Sequence, residues 1–302
     1  MTERESATVV KRTGFAGVPL IMLPLLVVDS LHFVFARLLV PYLPGVTAAF
    51  FVLTVAFVEL AIYMGIRRRI HFGTFRDNYR FFLVIGALVA ASTALNYEAV
   101  SYIDPGTASL LAQTTTLFAL VLSIVWLHER LAPLEIAGAL IALSGVFIIA
   151  FQPGDYLRLG SLMVLISAFM YALHAAIVKR HGGDMDFGNF FLFRVASVSL
   201  FLLIFTLGRG QLMWPEGEAW FWLILIGTVD VIFSRVLYYL ALRRLQMSFH
   251  TIILTLSPVL TILWSLVLFG VLPTTTGIIG GIAVLSGVAI VTVSKSRSGE
   301  VS

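Results

Sequence analysis

The chain repeats itself without a gap: adding 142 to a residue number in the first half lands on a like residue in the second. His32 maps to His174, Arg37 to Lys179, Ser123 to Ser265, and Leu95, Tyr97 and Ala99 to Leu237, Tyr239 and Ala241. Near the end of each half, Gly138 maps to Gly280, and Leu143, Ser144, Gly145 and Val146 map to Leu285, Ser286, Gly287 and Val288. A register that never slips restricts the fold to two copies of one unit. In an apolar chain, that symmetry is the plan of many secondary transporters, with the substrate site between the halves.

The solvent follows from composition. Hydrophobic residues make up 59% of the chain and charged residues 12%, with a mean hydropathy of +0.99, against about 25% charged residues in a soluble domain. A bilayer span needs about 20 mainly apolar residues. Ten such stretches can be read, at about 15 to 36, 46 to 66, 81 to 101, 107 to 127, 133 to 151, 159 to 178, 187 to 207, 219 to 241, 247 to 269 and 275 to 293. The expected fold is therefore an all-α integral membrane protein with ten transmembrane helices. No connection is long enough for a soluble domain. The absence of cysteine excludes disulfides, thiolate metal sites and cysteine nucleophiles. The first apolar stretch follows Lys11 and Arg12 but contains Asp29 and lacks a small-residue cleavage site, so it is read as a span and not as a signal peptide.

Orientation follows from the basic residues. With the N-terminus in the cytoplasm, the inner segments collect Arg4, Lys11, Arg12, Arg67, Arg68, Arg69, Arg76, Arg80, Arg130, Lys179, Arg180, Arg243, Arg244, Lys295 and Arg297, and the outer side keeps Arg37, Arg158 and Arg209. This bias places both termini in the cytoplasm, and accounts for the net charge of +4 without invoking nucleic acid. Five spans per half is an odd number, so the second half enters from the opposite side. The expected organisation is two inverted five-helix repeats, residues 1–152 and 153–302, whose exchange of conformations is the geometric basis of alternating access.

Certain motifs carry a family resemblance. Leu95-Asn96-Tyr97-Glu98-Ala99, Pro105-Gly106-Thr107-Ala108, Trp126-Leu127-His128-Glu129-Arg130 and Gly138 through Ser144-Gly145-Val146 are similar to the drug/metabolite transporter superfamily, EamA type. The second copy contributes Tyr239-Leu240-Ala241, Ser257-Pro258 and Gly280 through Ser286-Gly287-Val288. The resemblance covers the whole chain. It implies a carrier of the bacterial inner membrane, usually an exporter of small metabolites such as amino acids, with a central cavity shared by both halves and the fifth and tenth helices at the periphery. The halves also depart from that pattern in different ways. The arginine of the second helix is Arg194 in half two and Val52 in half one, the acidic end of the fourth helix is Glu129 with Val271 as its mate, and Pro258 faces Thr116.

Polar residues inside the membrane are the candidates for function, since a charge there is expensive and faces a cavity or a partner. Counting the helical rise places Asp29, His32, Asn96, Glu98 and Gln113 in the outer half, Glu59, His174, Arg194 and Arg235 in the inner half, and Asp230 near the middle. The expected substrate site comprises Asn96, Tyr97, Gln113, Tyr171, His174, Tyr239 and Trp264, whose aromatic faces and polar tips suit a moderately hydrophobic solute. Coupling and gating fall to Asp29, His32, Glu59, Arg194, Asp230 and Arg235. Asp29 and His32 are three apart and share a helix face, a spacing that makes a proton-responsive pair or an interfacial hydrogen-bond network. Glu59, Arg194 and Arg235 suit either charge neutralisation in an inner gate or anion binding. His32 and His174 fall at opposite depths and no triad of ligands converges, so no metal and no cofactor is expected.

Small residues stripe the fifth and tenth spans, Gly138 with Ala142, Gly277 with Gly281 and Ala283 with Gly287. That spacing allows close approach of helices within or between protomers, and a homodimer is compatible with it. Phosphate-binding glycine loops, zinc-protease motifs and a nucleotide-binding domain are missing, which argues against an enzyme or a primary pump. The reading is a secondary carrier for a small amino acid-like solute, coupled to protons or a facilitator, with the lipid bilayer as its partner.

Overall fold

The computed structural model describes residues 18–127, 132–150, 159–182, 185–238 and 254–299. Its elements are α1 (Val18–Ser30), α2 (His32–Leu39), α3 (Gly45–Ile66), α4 (Phe72–Asp77), α5 (Tyr79–Ala99), α6 (Pro105–Ala112) and α7 (Thr115–Leu127). They continue with α8 (Pro133–Ala150), α9 (Leu159–His181), α10 (Phe187–Gly208), α11 (Glu218–Ile226), a π-helical segment Gly227–Phe233, α12 (Ser257–Phe269) and α13 (Thr275–Gly299). Among the described residues there is no strand. Among the same residues eight helical passages are long and apolar enough to cross a bilayer, and Pro133–Ile149 and Ser257–Phe269 are shorter apolar helices. The protein is an all-α integral membrane protein, as helices satisfy their own backbone polar groups in hydrocarbon.

Local structure obeys the sequence repeat at three places. First, α3 ends when Arg68 takes a left-handed φ of 51° and the Arg69 N–H reaches back to Met64 O at 3.0 Å. Its equivalent α10 ends the same way, with Gly210 at φ 64° and Gln211 N–H on Thr206 O at 3.1 Å. Both close the last orphan carbonyls of a helix by the six-to-one bond that a left-handed residue permits. Glycine adopts that φ freely, whereas Arg68 carries a modest steric penalty. Second, the fourth span breaks at Gln113 and Thr114, between α6 and α7, and the ninth turns at the equivalent Thr255 and Leu256 before Pro258 starts α12.

The third place is the crossing of α8 and α13. A Cβ on Gly138 would lie 2.8 Å from Gly287 O, and one on Gly280 would lie 2.7 Å from Gly145 O. The contacts are reciprocal: each glycine meets the repeat mate of the other's partner. Going up one helix goes down the other, so these equivalent helices run antiparallel and cross near Ala142 and Val284, both fully buried. Backbones this close exclude any side chain, the reason for glycine at four positions.

The two halves are stitched together at both ends of the bundle. At the end read above as outer, Tyr42 donates to Glu218, Thr47 donates to Gln211 O at 2.7 Å, and Arg209 pairs with Glu98 at 2.5 Å. At the opposite end, the Asp186 side chain caps α10 by accepting from Asn189 N at 3.0 Å, and the buried Asn189 accepts from His71 N at 2.8 Å and donates to Arg69 O at 3.1 Å. The Asn189 N–H holds the Asp186 carboxyl below the usual carboxylate range. A depressed value means that the cap is present at neutral pH and is lost only as pH falls through the lowered pKa. Replacing Asn189 by Ala strands both loop groups without their partner, so a loss of about 2 kcal/mol is expected, read as a lower melting temperature of the detergent-solubilised protein.

Candidate functional site

Two irregular helices, the first span and the eighth, face each other. The first span breaks at Leu31, where Ser30 Oγ donates to Val27 O at 2.7 Å and the Leu31 N–H closes a tight turn on Val28 O. A hydroxyl returned to its own helix weakens the ladder locally. The equivalent stretch of α9 is unbroken. The eighth span becomes π-helical at Gly227–Phe233, while the equivalent stretch of α5 is regular. Such a bulge re-aims one side chain and is frequent at functional sites. Here the break presents His32 and the bulge presents Asp230, and His32 Nδ1 lies 2.8 Å from Asp230 Oδ2.

The sequence predicts Asp29 as the partner of His32; the structure gives that place to Asp230, from the other half. The spacing argument assumed one continuous helix, and the turn at Leu31 separates the two residues. Asp29 instead accepts a hydrogen bond from Ser257, and lies within electrostatic reach of His32, Asp230 and Arg235. Span nine grips span one at the break, since Trp264 Nε1 donates to Ser30 Oγ at 3.1 Å and Thr261 Oγ1 donates to Ser30 O at 2.7 Å. Tyr97 stands edge-on to His32, with ring centroids 6.0 Å apart, and is 1% exposed with its hydroxyl unpartnered.

A basic region adjoins these residues. Arg235 Nη2 donates to Tyr171 Oη at 3.1 Å, and Arg194 shares the same phenol. His174 is buried, its ring 5.3 Å from that of Tyr171, with Arg194 and Arg235 as charged neighbours. Tyr171 is in turn within electrostatic reach of His32. Asp29, His32, Asp230, Arg235, Tyr171, Arg194 and His174 thus form one continuous cluster drawn from both halves.

Other candidates lie elsewhere. Glu59, expected beside Arg194 and Arg235, meets Thr228 Oγ1, with carboxylate oxygens at 2.8 and 3.0 Å. Asn96 has a buried carbonyl oxygen without a partner, and Gln113 caps α6 at the break in the fourth span. Tyr239 lies outside the described residues. Hydropathy and spacing do not mark Ser30, Ser257, Thr228 and Thr261 for these roles; a hydroxyl on a span next to a charged residue is the available signal, and Ser257-Pro258 carries only the family resemblance.

The two cavities described open at the outer end, away from the cluster. One, of about 430 Å³, is lined by Arg37, Tyr42, Trp222, Phe269 and their neighbours. The second, of about 160 Å³, shares Arg37 and Phe269 and adds Tyr102 and Asp104. Neither lining includes Asn96, Tyr97, Gln113 or Trp264, the walls expected of a midplane cavity. Arg37 is held there by donating to Val100 O.

Comparison with known proteins places these features in context. The EamA-like transporter family matches residues 15–151 and again 158–293, once per copy of the repeat. The chain is 26% identical to the uncharacterized transporter YdfC of Bacillus subtilis (strain 168) over 62% of each chain. It is 27% identical to the probable terminal-alkyne amino-acid exporter of Streptantibioticus cattleyicolor over 79% of this chain and 81% of that one. It is also 31% identical to an uncharacterized transporter of Acidianus ambivalens over 33% of this chain and 40% of that one. The match therefore spans less than two thirds of the Bacillus and Acidianus relatives. A solved structure titled only as a crystal structure of protein has the same fold, with a TM-score of 0.65 at 18% identity over 94% of this chain and 99% of that one.

Proposed function

From the premise that this chain belongs to the EamA-like transporter family, we propose that it is a secondary-active carrier that exports small metabolites, amino acids or related organic solutes foremost, by alternating access. The observation that carries this reading is the buried charged cluster shared by the two halves. Bilayer-embedded charges are expensive, and this one sits where a break and a π-bulge disturb the helices that hold it. The antiparallel crossing of α8 and α13 supports two inverted repeats, at 1–152 and 153–302, with ten spans. The positive-inside pattern supports a cytoplasmic-membrane location with both termini inside. The name of the Streptantibioticus relative supports the amino-acid class.

Proton coupling is part of the proposal, with two candidate groups. The His32–Asp230 pair gains or loses a proton without leaving its partner. Glu59 is the second: its carboxylate accepts from the Thr228 hydroxyl on the π-helical segment, at 2.8 and 3.0 Å. Glutamine at Glu59 keeps an oxygen that accepts from Thr228 but carries no titratable group. In proteoliposomes, Glu59→Gln or His32→Ala is expected to weaken transport driven by a pH gradient about tenfold, and more than it weakens exchange at equal pH. Gradient-driven transport unchanged in both variants would contradict coupling at these groups and leave a facilitator.

A further inference from the structure

The cluster has two poles of opposite charge, and the duplication shows how they arose. Asp29 and Tyr171 occupy equivalent positions in the two copies, as do His32 and His174. Asp29 and His32 lie with Asp230 and Ser257, whereas Tyr171 and His174 lie with Arg194 and Arg235. One ancestral position has diverged into an acidic and a basic environment.

The basic pole is incomplete. Arg194 is 9% exposed and its Nε has no hydrogen-bond partner. Among the described residues the groups that act on it are the Tyr171 phenol and Arg235, and no carboxylate is among them. Arg235 differs, since it also faces Asp29 and Asp230. A buried guanidinium without an anion is unfavourable, and a planar fork of donors is suited to a carboxylate. Arg235 donates to one phenol oxygen, Tyr171 Oη, at 3.1 Å, and the same phenol lies within electrostatic reach of Arg194. That neutral oxygen stands where an oxygen of an anion between two guanidinium groups would stand.

Resting on the carrier reading above, we propose that Arg194, with Tyr171 and Arg235, binds the carboxylate of the transported solute, while the pole of Asp29, His32 and Asp230 receives its amino group. The substrate class is then a zwitterion, held along the axis between the poles. Arg194 obtains its counter-ion only from the solute. The amide of the same amino acid, which keeps the amine and the side chain but has no negative charge, binds poorly.

The test uses the purified full chain and three matched pairs of probes: L-leucine with L-leucinamide, L-threonine with L-threoninamide, and L-phenylalanine with L-phenylalaninamide. Thermal stabilisation and competition in proteoliposome transport are read for each. For the pairs that bind, the acid is expected to act at a concentration about tenfold or more below that of its amide, the size of a lost charge-assisted bond. Arg194→Gln is expected to abolish that preference, and Arg194→Lys, which keeps the charge, to retain part of it. Equal action of acid and amide on the parent protein would overturn the carboxylate assignment and leave the carrier reading intact; this comparison needs no variant to fold. A preference retained in full in Arg194→Gln would overturn the role of Arg194. If no acid and no amide is bound or transported, the amino-acid reading itself falls, and the assignment with it.

Discussion

Leucine in place of Gly145 is expected to prevent the protein from folding stably. A Cβ at this position already meets Gly280 O, the Val284 N at 2.7 Å and the Ala283 Cβ at 2.9 Å. Two of these are backbone atoms, which cannot rotate away as a flexible side chain could. Overpacking a well-packed core costs about 1–3 kcal/mol, and a clash between backbones must instead separate α8 from α13 along a whole helix face. The loss is expected at or above the upper end of that range. Gly280→Leu should behave alike, because the contact is reciprocal. Gly208→Ala is the control, as nothing lies within 4 Å of that position, and its melting temperature should stay within a degree or two of the parent. Size-exclusion profiles of the detergent-extracted variants read the difference directly. Monodisperse Gly145→Leu protein of parental stability would show that the crossing is not a structural joint.

Breaking the His32–Asp230 pair is expected to have the second largest effect. The Asp230 side chain is 8% exposed and the His32 side chain 33%, so alanine at His32 leaves a buried carboxylate without its nearest partner. Removing one member of such a pair costs about 3–5 kcal/mol when burial is complete. The partial exposure of His32 brings the expectation to about 2–3 kcal/mol. Asp230→Asn is milder, since an amide oxygen still accepts from the imidazole. The double variant His32→Ala with Asp230→Asn should be no less stable than His32→Ala alone, because the orphaned charge is gone. Melting temperatures of the four proteins form a double-mutant cycle, and additive losses would show that the two side chains do not interact.

Much of this was legible in the sequence, and the failures share one cause. The gapless repeat and the apolar spans follow from periodicity and hydropathy, which the bilayer enforces. The four-residue spacings of Gly138 with Ala142 and of Ala283 with Gly287 mark the close helix crossing, whereas Gly281, in the same stripe, meets Leu110 instead. Counting along ideal helices places Asp29 on one face with His32 and Glu59 in the inner half with Arg194 and Arg235, but does not give their hydrogen-bond partners. It fails because Leu31 interrupts the first span and Gly227–Phe233 winds as a π-helix. Neither irregularity has a Gly-Pro signature. Both are held by contacts with other spans, Trp264 and Thr261 on Ser30 and Thr228 on Glu59. The residues most displaced from the positions that ideal helices assign are the ones the site uses, as expected where function overrides local regularity. Arg37 is a related case: it is visible in the sequence as one of three outer basic residues, but the cavities it lines form only when the ends of α2, α6 and α12 meet.

The central claim is that the chain carries a small organic solute across the membrane by alternating access. Counterflow tests it most directly. Proteoliposomes containing the purified chain are loaded with an unlabelled L-amino acid and diluted into a trace of the same labelled compound, across a panel of amino acids and with no ion gradient. The account predicts that at least one compound accumulates transiently above equilibrium, saturates with concentration, and does so no longer in Arg194→Gln. Label that enters every vesicle at the rate seen in protein-free liposomes, for all members of the panel, would contradict it.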